Sequence, residues 1–248
     1  MHFKRIGSIV AVLIVSFGAL AQLRVREIQT SGTENKREAF RYFGDLLSGV
    51  DTYDSNNNLI RHLAFTYDED LRIVGADDSQ TGYTWSIIYS GKRISQITEG
   101  YLLGTSGFLF QYDHQDKIKL IRILEKDKLI GSWKYTFQNS DLYSIQFNLP
   151  RRSPLHGRIR KYGKLDGRQN YLKLLTSLLN NQPIIVAIFF GEEVWCTSNP
   201  FTRSESDKKG NDTIATDFTY EYNEAGFPIV IESIGGESVT RKRIFYSQ

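Results

Sequence analysis

The chain has 248 residues, with 31 Lys and Arg against 28 Asp and Glu, a balance that gives no global field toward nucleic acid or an anionic membrane. At 40% hydrophobic and 24% charged residues it has the composition of a folded domain, not of a disordered or collagenous chain. Cys196 is the only cysteine, which excludes an internal disulfide framework.

Lys4 and Arg5, the apolar run from Ile6 to Phe17 and the small-x-small triplet Ala19-Leu20-Ala21 predict a signal peptide over residues 1–21, cleaved before Gln22. The apolar run is short for a membrane span of about 20 residues, so no transmembrane span is expected after cleavage. Removing Lys4 and Arg5 from the 31 basic residues leaves 29 against 28 acidic ones in a single exported β domain, 22–248. No cysteine sits beside the cleavage site to carry a lipid anchor. The expected location is the periplasm or outer surface of a bacterial envelope, without disulfides and without a nucleic-acid partner.

After the leader, Thr33 to Leu47 fits either a short helix capped by Thr33 or another hairpin arm. Beyond it a period-two pattern takes over. Leu63, Phe65 and Tyr67 share one face, as do Tyr83, Trp85, Ile87 and Tyr89, then Phe108, Phe110 and Tyr112, then Trp133, Tyr135 and Phe137, and near the end Phe218, Tyr220 and Tyr222. Side chains alternate across a strand, so each segment is a strand with one aromatic face and one wet face. Tyr67, Tyr89, Tyr112 and Phe137 recur at intervals of 22, 23 and 25 residues, the spacing of one strand-turn-strand unit. The acidic trio Asp68-Glu69-Asp70 therefore reads as a hairpin turn: equivalent positions hold Ser90-Gly91-Lys92, Asp113-His114-Gln115 and Asn223-Glu224-Ala225, which keep turn chemistry while their charge changes.

An insertion at about 150–212 breaks the pattern. Its first part concentrates Arg151, Arg152, Arg158, Arg160 and Lys161, which would form an anionic-ligand patch for phosphate- or sulfate-bearing glycan or lipid, or simply a solvated hairpin. Asn170 to Leu179 places Tyr171, Leu174, Leu175 and Leu178 on one face of a short amphipathic helix. The run PIIVAIFFGEEVW reads as an apolar strand, a turn at Gly191-Glu192 and a return strand, with Cys196 a buried small hydrophobe. The predicted architecture is mainly β, a curved antiparallel meander of about ten strands, open like a half-barrel, wrapping one short helix.

The hairpins YDEDLRI, YDHQDKI and YNEAGFPI look like the YD-type repeats of bacterial surface proteins. From about Leu46 to Tyr246 the chain resembles a bacterial cell-envelope family of unknown function with a porin-like fold. The stretches YGKLDGRQNYLKLL and TSNPF stand where that family has its pre-helix and late Asn-Pro motifs, although Gln169-Asn170-Tyr171 replaces the usual Asn-Pro-Phe. The resemblance implies a fold and no reaction.

No catalytic or metal site emerges. Asp54, Asn56 and Asn58 begin a calcium-loop pattern that fails at Leu59 and Phe65. His62, His114 and His156 lack zinc-ligand spacing, and Glu192 and Glu193, if adjacent on a strand, would face opposite ways. No cofactor is expected. Trp85, Phe110, Trp133, Tyr135 and Tyr220 on the inner face are the candidate ligand-binding residues, for a glycan or an apolar ligand. The reading is thus a non-enzymatic envelope scaffold or binding protein; the alternatives are a carbohydrate-active hydrolase and a small outer-membrane β-barrel. If the aromatic face is buried, Trp133→Ala should lower the thermal midpoint far more than Lys134→Ala, which should stay within about 0.5 kcal/mol of the parent. Equal small shifts in paired melts would refute the face assignment.

Overall fold

The computed structural model describes residues 23–101, 104–179, 181–211 and 213–247; the expected signal peptide lies outside the described residues. Period-two alternation becomes sixteen strands. The first eight are β1 (Arg24–Gly32), β2 (Lys36–Phe43), β3 (Leu46–Asp54), β4 (Leu59–Tyr67), β5 (Ile73–Asp78), β6 (Tyr83–Ser90), β7 (Arg93–Tyr101) and β8 (Gly104–Tyr112). They continue as β9 (Ile118–Glu125), β10 (Lys128–Gln138), β11 (Asp141–Asn148), β12 (Ile159–Tyr162), β13 (Thr202–Ser206), β14 (Ile214–Tyr222), β15 (Pro228–Gly235) and β16 (Ser238–Ser247). All neighbours are antiparallel, and β1 pairs with β16 from Arg24↔Ser247 to Gly32↔Thr240.

This last pairing corrects the open half-barrel of about ten strands: the sheet is a closed sixteen-stranded barrel, the architecture that the barrel alternative required. An open meander would leave two rows of unpaired backbone groups, and closure removes both. The Thr33–Leu47 stretch forms β2, a turn at Gly44-Asp45 and β3, not a helix.

The repeat has a physical basis at its terminal aromatic. The ladder shifts register between Arg41 and Tyr42, Thr66 and Tyr67, Ile88 and Tyr89, Gln111 and Tyr112, and Thr136 and Phe137. Such a bulge bends the strand and re-aims the side chain that follows. Tyr42, Tyr67, Tyr89 and Tyr112 thereby donate to the carbonyls of Val25, Leu47, Ile73 and Ile94, at 2.6, 2.6, 2.9 and 2.7 Å, each at the start of the partner strand. Tyr246 repeats the bond to Pro228, at 2.8 Å.

The Asp turns are equally regular. The carboxylate of Asp68 accepts the N–H groups of Asp70 and Arg72, and Leu71 takes φ 60°. Asp54, Asp113 and Asp207 accept the N–H groups two and four residues on in the same way. The residues three positions on, Asn57, Asp116 and Gly210, all have positive φ. Asn223 builds the corresponding turn with an amide oxygen.

Sixteen strands enclose more space than their own side chains fill. The segment between β12 and β13 enters this lumen as a plug. It contains α1 (Tyr171–Leu178), α2 (Pro183–Phe189) and a 3-10 turn (Glu192–Trp195). Asn170 caps α1 by accepting the N–H of Leu172 at 2.9 Å. The strand expected for PIIVAIF is helical instead. Pro183 sits in its first turn, where its missing N–H costs nothing, and a helix apolar on all sides suits a position ringed by barrel wall. Phe189 meets Phe65 and Trp85 edge-on, and Phe190 stacks on Phe40. Leu175, Leu178, Leu179, Ile185 and Val186 are fully buried, each such side chain contributing about 1.5–3 kcal/mol relative to exposure.

The outer wall is polar. One rung runs through Glu221, Val230, Arg243, Gln29 and Arg37, and the rung beside it through Thr219, Glu232 and Arg241. Phe65, Phe110, Tyr135 and Phe147 are buried on the inner side.

The turn bonds set an acid limit. Bonds from the Asn58 and Arg72 side chains and the turn N–H groups hold Asp54 and Asp68 below the ordinary carboxyl value; at Asp113 and Asp207 partial desolvation pushes up, and the turn N–H bonds outweigh it. A carboxyl lowered by folding stabilises the fold fully above its unfolded value, near 4, and loses that contribution as pH falls through its folded value. Because Asn223 shows that an amide closes the same turn, replacing Asp54, Asp68, Asp113 and Asp207 by Asn should flatten the decline of the melting temperature below about pH 4. An unchanged acid profile in those melts would assign the acid sensitivity to other groups.

Candidate ligand site in the lumen

Strands alternate direction, so the turns after β2, β4, β6, β8 and β10 lie at the end where the plug enters, and the other end forms a mouth. The plug is tied at a neck. Gly163 donates to Thr202, Phe201 to Lys164, and Asp166 to Asn199. Asn199, 3% exposed, donates from its amide to Asp166, to the Gln169 carbonyl and toward the Tyr222 hydroxyl, which itself bonds Asp166. The LDGRQN and SNPF stretches thus meet as two sides of one structural joint.

An ion cluster ties the 3-10 turn of the plug to the wall. Arg160 points inward from β12, pairs with Glu192 of the 3-10 turn and forks onto Glu205 of β13 at 2.9 and 3.1 Å. Tyr162 donates to Glu192 at 3.0 Å, and Arg203 pairs with Glu193 at 3.2 Å. Burial pulls the Arg160 guanidinium down, and the Glu192, Tyr162 and Glu205 oxygens more than restore it, so it stays charged.

Between the plug and strands β6 to β10 lies a cavity of about 290 Å³. Trp85, Trp133 and Trp195, all three tryptophans of the chain, line it, with Phe108 and Phe110 beside them and Ile184 and Ile188 of α2 as floor. Its polar groups are few. Glu99 accepts from the Trp85 indole at 3.1 Å; burial raises its carboxyl above the ordinary value, and the indole bond offsets part of the rise. The buried indole N–H groups of Trp133 and Trp195 have no acceptor among the described residues. Glu192 also faces the cavity but is committed to Arg160 and Tyr162.

Trp85 and Glu99 also border a groove of about 470 Å³ at the mouth, lined by Glu38, Arg61, Asp78 and Tyr83. Tyr83 stacks on Trp85 at 5.9 Å and lies 5.6 Å from Tyr101, so aromatic rings run from the mouth to Phe189 of the plug. Burial raises the Asp78 carboxyl, but bonds from the Thr81 hydroxyl and the N–H groups of His62 and Gln80 outweigh it and hold it below the ordinary value.

Of the five aromatic residues singled out from sequence, Trp85, Phe110, Trp133 and Tyr135 line this one cavity. Tyr220 lies across the lumen, donating to Pro200 at 2.6 Å. Sequence reasoning missed Trp195, assigned to a return strand, and Glu99. The signal for Glu99 was present: it faces Trp85 across the ladder, on the aromatic face. The five basic residues do not form one patch. Arg151 and Arg152 are exposed on the mouth loop, Lys161 is exposed on the outer wall, Arg158 pairs with Glu205, and Arg160 is consumed in the ion cluster. Cys196 is buried, and its thiol is pushed up to about 12 by burial and by Glu193.

No family model and no curated protein matches the sequence. Among solved structures, the fold is similar to a porin-like protein from Bacteroides uniformis, with a TM-score of 0.63 and 13% identity over 90% of this chain and 98% of that one. A porin-like protein from Bacteroides vulgatus aligns over the same shares at 13% identity with a TM-score of 0.41. The Photorhabdus luminescens Tc holotoxin pore aligns with a TM-score of 0.36 at 9% identity, over 86% of this chain and 12% of that one.

Removing one partner of the ion cluster strands the others. Arg160→Met should cost about 3 kcal/mol in denaturant unfolding, while Lys161→Ala should change stability by less than about 0.5 kcal/mol. Equal effects would mean that the cluster does not hold the plug.

Proposed function

We propose that this protein is a non-enzymatic binding barrel of the bacterial cell envelope that takes a ring-bearing ligand, a glycan in preference to a purely apolar one, into its lumen. The concentration of all three tryptophans around one cavity carries this reading. Indole faces match the C–H faces of sugar rings, and the Glu99 carboxyl offers a polar partner to hydroxyls. The charged groove at the mouth gives such a ligand polar contacts on entry. The signal-type N-terminus and the porin-like fold support an envelope location.

The wall argues against a lipid-facing barrel. Membrane barrels alternate apolar outward with polar inward, and Arg or Lys facing lipid at the midplane costs about 2–4 kcal/mol. Here Arg37, Lys134, Arg241 and Arg243 lie on the outer side and the apolar rings on the inner. Hydrolysis is the second reading, because Glu99 and Glu192 share the cavity. The bonds to Arg160 and Tyr162 leave Glu192 poorly placed to act as base or nucleophile.

The tryptophans are their own probe. Titration with envelope oligosaccharides should change indole emission saturably, and Trp133→Leu, which removes the indole face, should weaken binding about tenfold, or 1.4 kcal/mol. Silence toward every glycan together with a response to fatty acids would replace the glycan by an apolar ligand. Release of reducing ends, abolished by Glu99→Gln, would replace binding by hydrolysis.

A further inference from the structure

On the opposite side of the plug, against strands β13 to β16, lies a second cavity of about 150 Å³. Its walls are aromatic: Phe218 and Tyr220 stack at 6.5 Å, and Tyr171 and Phe190 close the plug side. A cavity of this size accommodates a single benzene-like ring.

Two cations reach into it. Lys242 alternates along β16 with the buried Ile244 and pairs in register with Thr30 and Ile231, so its side chain faces the lumen. No carboxylate among the described residues lies within ion-pair distance of it. Arg203 spends one nitrogen on Glu193 at 3.2 Å and lies over the Phe218 ring at 5.7 Å, and the rest of its fork has no side-chain partner among the described residues. The nearby amides are occupied, Asn170 with Leu172 and the Glu193 carbonyl, and Asn199 at the neck.

Half-buried and facing the lumen, with no counter-ion among the described residues, the Lys242 ammonium is available to an anion entering this cavity. Lys242 and Arg203 against the single carboxylate of Glu193 leave the cavity one positive charge in excess. We propose that it is an oxyanion site for a carboxylate borne on a ring, an aromatic or sugar acid, with the ring on Phe218 and Tyr220 and the carboxylate between Lys242 and Arg203. This site is separate from the tryptophan cavity and does not depend on what that cavity binds.

Calorimetric titration with benzoate tests it, with inorganic phosphate as the ringless comparison. Benzoate should bind the full-length mature protein, more weakly as salt is raised, and leave tryptophan emission unchanged. Lys242→Met should weaken binding at least about tenfold, and Lys242→Arg should restore most of it. Because Lys242 has no ion-pair or hydrogen-bond partner among the described residues, Lys242→Met should melt at or above the parent temperature without ligand, which separates lost binding from lost folding. Absence of benzoate binding, equal affinity in Lys242→Met, or phosphate bound as tightly as benzoate would overturn the proposal.

Discussion

The width of the barrel is the constraint on which the rest depends. A closed sheet of sixteen tilted strands leaves an interior that its inward side chains cannot fill. An unfilled interior would forfeit the dispersion contacts that hold aromatic rings in place. The chain meets this by sending the segment between β12 and β13 into its own lumen, where α2 is apolar on every side because wall surrounds it. Cavities remain where a short plug and a wide ring fail to match, and their positions follow from that mismatch.

The wall and the plug use different interactions. The wall repeats one local device, a bulge that turns a terminal tyrosine toward a carbonyl at the start of the neighbouring strand, followed at several turns by a carboxylate that accepts two backbone N–H groups. Every such bond is made within one hairpin. The plug is held by interactions far apart in sequence, among them Arg160 with Glu192 and Glu205, and Asn199 with Asp166 and Gln169. A plug fixed by charge and hydrogen bonds has a defined orientation that apolar packing alone would leave looser. That orientation brings Trp195 to the same cavity as Trp85 and Trp133.

Two lumenal cavities of unlike chemistry result. One joins indoles to a carboxyl whose burial favours its neutral form; the other joins phenyl and phenol rings to two cations. Both lie inside a wall whose outer face is charged, so the side of the sheet that is chemically distinctive is the inner one.

Alternation of rings and polar residues along the chain was enough to fix strand identity, the inward direction of Trp85, Phe110, Trp133 and Tyr135, and the turn role of Asp68, because these depend on contacts within one or two strands. The amphipathic face of Tyr171, Leu174, Leu175 and Leu178 likewise marked α1. Closure, strand number and the contents of the lumen were not legible. Pairing of β1 with β16 joins residues more than two hundred positions apart, and β12 and β13 are too short to show a period. An apolar run such as PIIVAIF has no sidedness to separate strand from helix until its surroundings are known. Arg160, one of a basic cluster by sequence, became a half-buried anchor, and Lys242 became a cation inside the lumen, because only the closed register decides which charges face water and which face each other.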